Sequence, residues 1–225
     1  MNKKTWPRLI QGLLVLIVPV LLVTANLRIV TDHWFVRWEY GKTGFPPDPF
    51  GLSTAERTSL AETCVDYLAT NADISLLADL RLPGGGPAFN ARELQHMADV
   101  QAVFHALTLT GIVAALLFLG GTLLLLRGHT RRRIPAALLS GGLLTLGLLA
   151  GVGAIMVLSW NEFFTAFHRI FFEGESWIFP YSDTLIRLFP TRFWMDVGAV
   201  IVGLLAIEAA VVSAVGWIWM RRINN

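Results

Sequence analysis

The chain reads as an all-α membrane protein, a four transmembrane helix bundle with a mostly helical extracytoplasmic segment between helices 1 and 2. Three observations predict this. Of 225 residues 54% are hydrophobic and only 15% are Asp, Glu, Lys or Arg, against about 25% charged in an ordinary soluble domain. Four apolar stretches each reach the roughly 20 residues that a helix needs to cross a hydrocarbon core about 30 Å thick. The charges are also sorted by sign between the connections. Intrinsic disorder and a nucleic-acid-binding arm are excluded, because both require a polar, charged chain.

The spans run from Leu9 to Val30, Val100 to Leu126, Ile134 to Leu158 and Val197 to Met220. Trp6, Trp34, Trp38, Tyr40, Trp160, Trp194, Trp217 and Trp219 gather near their ends, where amphipathic rings anchor at the membrane interface. Lys3, Lys4 and Arg8 precede span 1. Arg127, Arg131, Arg132 and Arg133 fill the short loop between spans 2 and 3, and Arg221 and Arg222 follow span 4. These segments hold nine of the 18 basic residues and none of the 16 acids. The positive-inside rule therefore puts both termini and the 127–133 loop in the cytoplasm. The 31–98 segment and the 159–196 loop lie outside, within a single integral membrane domain of residues 1–225. The arginine cluster reads as a topology anchor on anionic lipid rather than a nucleic-acid patch.

Span 1 has a competing reading as a signal peptide, with Val23-Thr24-Ala25 resembling a processing site. The apolar run continues through Ile29 and Val30, so the span is expected to be retained. Gly147 and Gly151 form a GxxxG pair in span 3, and Ala199/Gly203 and Ala206/Ala210 repeat that spacing in span 4, which predicts close helix packing there. Glu208 is the one acid inside a span. It lies about eleven residues below the outer end, roughly 16 Å at 1.5 Å per residue, too deep to meet an outer histidine without a cavity. An internally hydrogen-bonded or protonated structural role fits it.

Between spans 1 and 2, Pro46-Pro47-Asp48-Pro49 excludes helix. Ser53 and Glu56 form a capping box that opens a helix to about Thr70, and the lone Cys64 reads as a small apolar packing residue. One cysteine supplies neither an internal disulfide nor a multi-cysteine metal site. Residues 76–82, a Pro-Gly-rich turn and residues 88–89 suggest a short hairpin. The Gly84–Gly86 run lacks the Lys-Ser/Thr pair of a phosphate loop. Asn90 with Glu93 marks another helix start, expected to run straight into span 2.

His96 thus sits on a helix close to the outer membrane surface. Glu93 and Asp99 lie about 60° around that helix from it, on one face, where either carboxylate could hold a ring nitrogen. His105 is about 180° away. In the second outer loop, Asn161, Phe164, Thr165, His168, Phe171 and Phe172 form one stripe of a short helix suited to the headgroup boundary. His96 and His168 are therefore the candidates for a shared site, set against the plainer reading of two interfacial hydrogen-bonding imidazoles. Metal ligation is disfavoured, because His96-Met97-Ala98-Asp99 is not HExxH and no Cys or His cluster supplies further ligands. No GxSxG elbow marks a serine nucleophile.

The run Glu93-Leu94-Gln95-His96-Met97-Ala98-Asp99-Val100 resembles the HMxDV signature of the lipoprotein intramolecular transacylase (Lit) family. Phe167-His168-Arg169-Ile170-Phe171-Phe172, followed by Trp177-Ile178-Phe179, Asp183 and Phe189-Pro190, is similar to that family's second signature. The likeness covers nearly the whole chain, with residues 41–92 unaligned. It implies a bacterial plasma-membrane enzyme that moves the sn-2 acyl chain of a diacylglyceryl lipoprotein onto the α-amine of its N-terminal cysteine, leaving a lyso-form product. It also implies His96 and His168 as the catalytic pair, no cofactor, no metal and no nucleic acid; the partners are the lipoprotein substrate and membrane lipid.

That chemistry suits these residue types. A histidine near its ordinary pKa of about 6.5 can take a proton from the attacking amine. A second imidazole can serve as acid or carbonyl polariser, and the oxyanion needs an N–H or a cation such as Arg169. Glu93, Asp99 and Asp183 are the supporting carboxylates. His168 is favoured as base, although spacing leaves the two roles interchangeable. A hydrolase using water as nucleophile, and a non-enzymatic four-span scaffold, are the other readings. The scaffold class relies on a disulfide in its first outer loop, which Cys64 alone cannot form. A transporter is disfavoured by the absence of two matching halves.

Overall fold

Four helices in the computed structural model, which describes residues 5–127 and 130–224, are long and apolar enough to cross a membrane. They are α1 (Trp6–Val30), α5 (Ala91–Leu126), α6 (Arg133–Leu158) and α9 (Thr191–Asn224). Each expected span is present, and α1, α5, α6 and α9 all begin before the apolar run that signalled them. Lipid offers no partner to a free backbone amide, so apolar segments of this length close their hydrogen bonds within a helix. Lys3, Lys4 and the Gly128-His129 part of the arginine-rich loop lie outside the described residues.

Five shorter helices complete the chain among the described residues: α2 (His33–Tyr40), α3 (Thr54–Ala69), α4 (Ser75–Ala78), α7 (Trp160–Phe171) and α8 (Thr184–Leu188). The α3 start is the expected capping box, with Glu56 N–H donating to Ser53 Oγ and Ser53 N–H to Glu56 Oε2. The expected hairpin shrinks to one antiparallel bridge between Arg81 and Pro87. Asp73 accepts from the Ser75 amide and starts the single turn of α4 where the first strand was expected. Pro83 and Pro87 have no N–H with which to extend a ladder.

The chain divides into two compact units. One comprises Met1–Leu27, Leu107–Leu158 and Val200–Asn225. It packs an apolar cluster of Leu14, Leu125, Ile134 and Ala137 and makes close approaches at glycine, though not at the glycines the spacing suggested. Gly147, Gly151 and Gly203 have nothing within 4 Å of a built Cβ, so the GxxxG expectation in span 3 is corrected. A Cβ on Gly142 would instead meet Ala209 O at 2.7 Å, and one on Gly216 would meet Leu139 N at 2.6 Å. Which glycines face a neighbour depends on helix rotation, and spacing within one helix does not encode that. Glu208 accepts a hydrogen bond of 2.5 Å from Asn26 Nδ2, and Asn26 is fully buried. The structural reading of Glu208 agrees with this pairing.

The other unit comprises Arg28–Ala106 and Ser159–Ala199. Its core packs Leu60, Cys64 and Tyr67 of α3 against Met97 of α5 and Leu185 and Leu188 of α8. Directed polar contacts surround this core. Tyr40 Oη donates to Leu188 O, and the Arg57 guanidinium donates to Pro46 O and Arg187 O. Arg187 pairs with buried Asp48 at 2.9 Å. Lys42 lies between Glu39 and Asp196, at 2.8 and 2.9 Å.

Candidate active site

Two features of the first turns of α5 set the direction of His96. Met97 is buried in the core, which turns its neighbour about 100° away around the helix. Glu93 fixes the helix start: its N–H donates to Asn90 Oδ1, and its carboxylate accepts from the Asn90 amide at 2.8 Å. The same carboxylate accepts the Leu185 amide of α8 at 2.7 Å. One buried side chain thereby caps two helices that lie 92 residues apart in sequence.

His168 projects from α7, which follows α6 after a break at Ser159. Its Nδ1 lies 2.8 Å from Phe164 O. A carbonyl oxygen can only accept, so Nδ1 carries the hydrogen and Nε2 is left with a lone pair. Beyond α7 the chain reverses at Gly174, whose φ of +60° is open to glycine without strain. The reversal lays Trp177 against the His168 ring, with centroids 4.7 Å apart.

The two imidazoles share a neighbour. Phe172 packs against His96 at 4.9 Å and against His168 at 5.7 Å between centroids. The rings are therefore no farther apart than those two distances laid end to end. Phe179 closes against His96 at 5.4 Å and Phe164 against His168 at 4.0 Å.

This aromatic enclosure sets the proton chemistry. His96 lies ahead of the apolar run that begins at Val100, and burial pushes its imidazole down to about 4. A positive charge on His168 would lower it further, while Asp99 acts weakly the other way. His168 is also held below the ordinary histidine value, chiefly by burial and partly offset by its bond to Phe164 O. Burial thus favours the neutral form of both rings. His96 Nδ1 is buried without a hydrogen-bond partner. An orphaned lone pair is better tolerated than an orphaned N–H, which favours the hydrogen on Nε2. One ring then presents an N–H donor and the other a basic nitrogen.

The remaining candidates are dispersed. Asp99 accepts from Gln95 Nε2 at 3.0 Å, and Glu93 is committed to the two caps, so neither carboxylate holds a histidine nitrogen. Arg169 is exposed. Asp183 occupies the N-cap position of α8 but makes no side-chain cap bond, because Glu93 has taken the Leu185 amide. One of its oxygens lies 3.5 Å from Arg92 Nη2, and Arg92 stacks over Phe179 at 5.2 Å. His105 contacts Thr70 O at 3.1 Å, apart from this cluster. Among the described residues, no three or more of His, Cys, Asp and Glu gather as a metal site. Helical spacing already placed Phe164 and Phe172 on the His168 stripe; it did not show that Phe172 and Phe179 pack on His96, for which the density of aromatic residues over 160–194 is the only signal.

Residues 10–194 match the family described as Lipoprotein intramolecular transacylase Lit. The chain belongs to the Lit family. A relative from Aquifex aeolicus (strain VF5), described as an uncharacterized protein, is 31% identical over 199 residues, covering 88% of each chain. Among solved structures, the membrane integral lipoprotein intramolecular transacylase Lit from Bacillus cereus shares the fold. Its TM-score is 0.82 at 16% identity over 99% of both chains. A histidine-substituted form of that protein matches with a TM-score of 0.69 at 13% identity, over 98% of this chain and 96% of that one. Membership makes this a multi-pass membrane protein of a lipoprotein-modifying acyltransferase family.

Proposed function

We propose that this Lit-family chain moves the sn-2 acyl group of a diacylglyceryl lipoprotein to the α-amine of the same molecule's N-terminal cysteine, using His168 as base and His96 as hydrogen-bond donor. The observation that carries this reading is the pair of imidazoles packed on one Phe172 ring, His168 with its Nδ1 held by Phe164 O and His96 with its Nδ1 buried without a partner.

The neutral amine attacks the ester carbonyl while His168 Nε2 takes its proton. The nitrogen–carbon bond forms and the carbonyl electron pair moves onto oxygen. On collapse the carbon–oxygen bond to glycerol breaks, and the departing oxygen takes the proton that His168 holds. His96, with its pKa near 4, is not an imidazolium at neutral pH. It acts as a neutral polariser of the carbonyl, much as a neutral imidazole does in other enzymes. Ester and amine belong to one substrate, so the enzyme's task is positioning rather than encounter.

Charge distribution supports an extracytoplasmic face for this chemistry. The two connections that carry the histidines hold 15 of the 16 acids, and the basic loop and tails mark the cytoplasmic side. Both ends of the substrate, acyl ester and terminal amine, lie at that outer leaflet.

The test is mass spectrometry of one lipoprotein's N-terminus, from cells with and without this protein. Transfer leaves the total mass unchanged and moves one acyl chain to nitrogen. Loss of an acyl chain as free fatty acid would establish a hydrolase instead.

A further inference from the structure

We propose that the indole N–H of Trp177 is an oxyanion donor, hydrogen-bonded to the acyl carbonyl oxygen of the substrate as the amine attacks. The inference rests on the transfer reaction proposed above and adds a residue to it.

Trp177 Nε1 is buried and has no hydrogen-bond partner. Native proteins partner nearly all such groups, and an exception calls for an explanation. An indole nitrogen is a donor only and keeps its hydrogen, so the one polar act open to Trp177 is to donate. The ring lies 4.7 Å from the His168 ring at an interplanar angle of 32°, inside the same aromatic enclosure as the base. Phe164 flanks both rings.

The reaction leaves a donor to be found. Nitrogen–carbon bond formation puts a full negative charge on the former carbonyl oxygen, and neutral His96 can offer it a single N–H. Arg169 is exposed, and Arg92 is engaged with Asp183 and Phe179. A donor already stripped of water requires no reorganisation when the charge develops, and this is the condition under which oxyanion donors act most strongly. The rings that shield the N–H must part for the ester to reach it. Trp177 gives up no proton at any point; the amine's hydrogen still passes through His168 to the glycerol oxygen.

The experiment uses the full-length protein in lipid and a synthetic cysteinyl peptide bearing an S-(2,3-dipalmitoyloxypropyl) group. Trp177→Phe is compared with wild type, as is replacement of Trp177 by 3-benzothienylalanine, which keeps the bicyclic shape and puts sulfur in place of N–H. The expected result is a kcat about 100- to 1000-fold lower in both, the range for loss of one oxyanion donor. KM and the pH dependence of the base should be unchanged. A benzothienyl variant with kcat within about threefold of wild type, or one altered only in KM, assigns Trp177 to packing or ground-state binding and overturns the proposal. That outcome leaves the transfer reaction standing. A wild-type protein that releases palmitate without N-acylation removes the reaction and this assignment together.

Discussion

The two compact units are built on different physics. In the unit formed by Met1–Leu27, Leu107–Leu158 and Val200–Asn225, helices approach through glycine and apolar side chains, with polar pairs such as Asn26–Glu208 set among them. In the unit formed by Arg28–Ala106 and Ser159–Ala199, buried carboxylates and guanidinium groups each bind specific backbone or side-chain partners. Both histidines and the rings that enclose them belong to the second unit. Close apolar packing sets distances between helices. Directed hydrogen bonds also set the angle of a side chain, and proton transfer requires that angle.

Several substitutions and a titration sharpen or break this contrast. The largest effect is expected for His168→Ala, which removes the base. Transfer should fall by at least about 1000-fold, within the range for a general base, in a protein that still inserts and folds, as judged by the acyl position in the product and by the melting curve. Near-normal turnover would end the two-histidine mechanism. Glu93→Ala should act through stability instead. It strands the amides of Asn90 and Leu185, at about 3 kcal/mol for two charge-assisted bonds. Thermal unfolding should show the loss, with Glu93→Gln milder.

In the other unit, Gly142→Ala drives a Cβ towards Ala209 O and should cost about 1–3 kcal/mol, the usual range for overpacking. Gly147→Ala should be neutral or slightly stabilising, because nothing stands near it and alanine favours helix. Equal effects at the two glycines would contradict the packing described for this unit.

The titration concerns pH. A depressed His168 pKa keeps the base neutral below the ordinary histidine range, so the acidic limb of the kcat profile should have its midpoint under about 6.5. For His96, the unfolded chain binds a proton between about 6.5 and the folded value near 4, while the folded protein does not. Stability should therefore fall as pH drops through that window, and a His96→Asn variant should flatten the fall. Among the effects on kcat, the smallest is expected for Asp99→Asn, about tenfold or less, since Asp99 bonds Gln95 rather than the ring. A much larger loss would restore Asp99 as an orienting carboxylate.

Local signals are legible in the sequence. The Asn90–Glu93 pattern announced the start of α5, and Ser53–Glu56 that of α3. Both histidines stood out once the outer segments were recognised, and the two signatures around them named the family. Three things were hidden. The second bond of Glu93 reaches Leu185, and no spacing rule links positions so distant. The α2 and α8 helices were missed because they are short and draw their stability from tertiary packing. The GxxxG spacing predicts an interface, but among the described residues nothing lies within 4 Å of a Cβ added at Gly147 or Gly151.

By itself, the sequence determined four membrane-crossing helices, their ends to within about six residues once the Asn90–Glu93 start of α5 is counted, and the sorting of charge between the connections. Apolar length and backbone self-satisfaction are local properties, legible along a single strand of text. Tertiary structure alone decided that Phe172 touches both imidazoles and that Glu93 rather than Asp183 caps α8. Each of those is a relation between side chain and partner across a fold. Hydrogen-bond direction and burial in that fold set proton positions, and residue order does not.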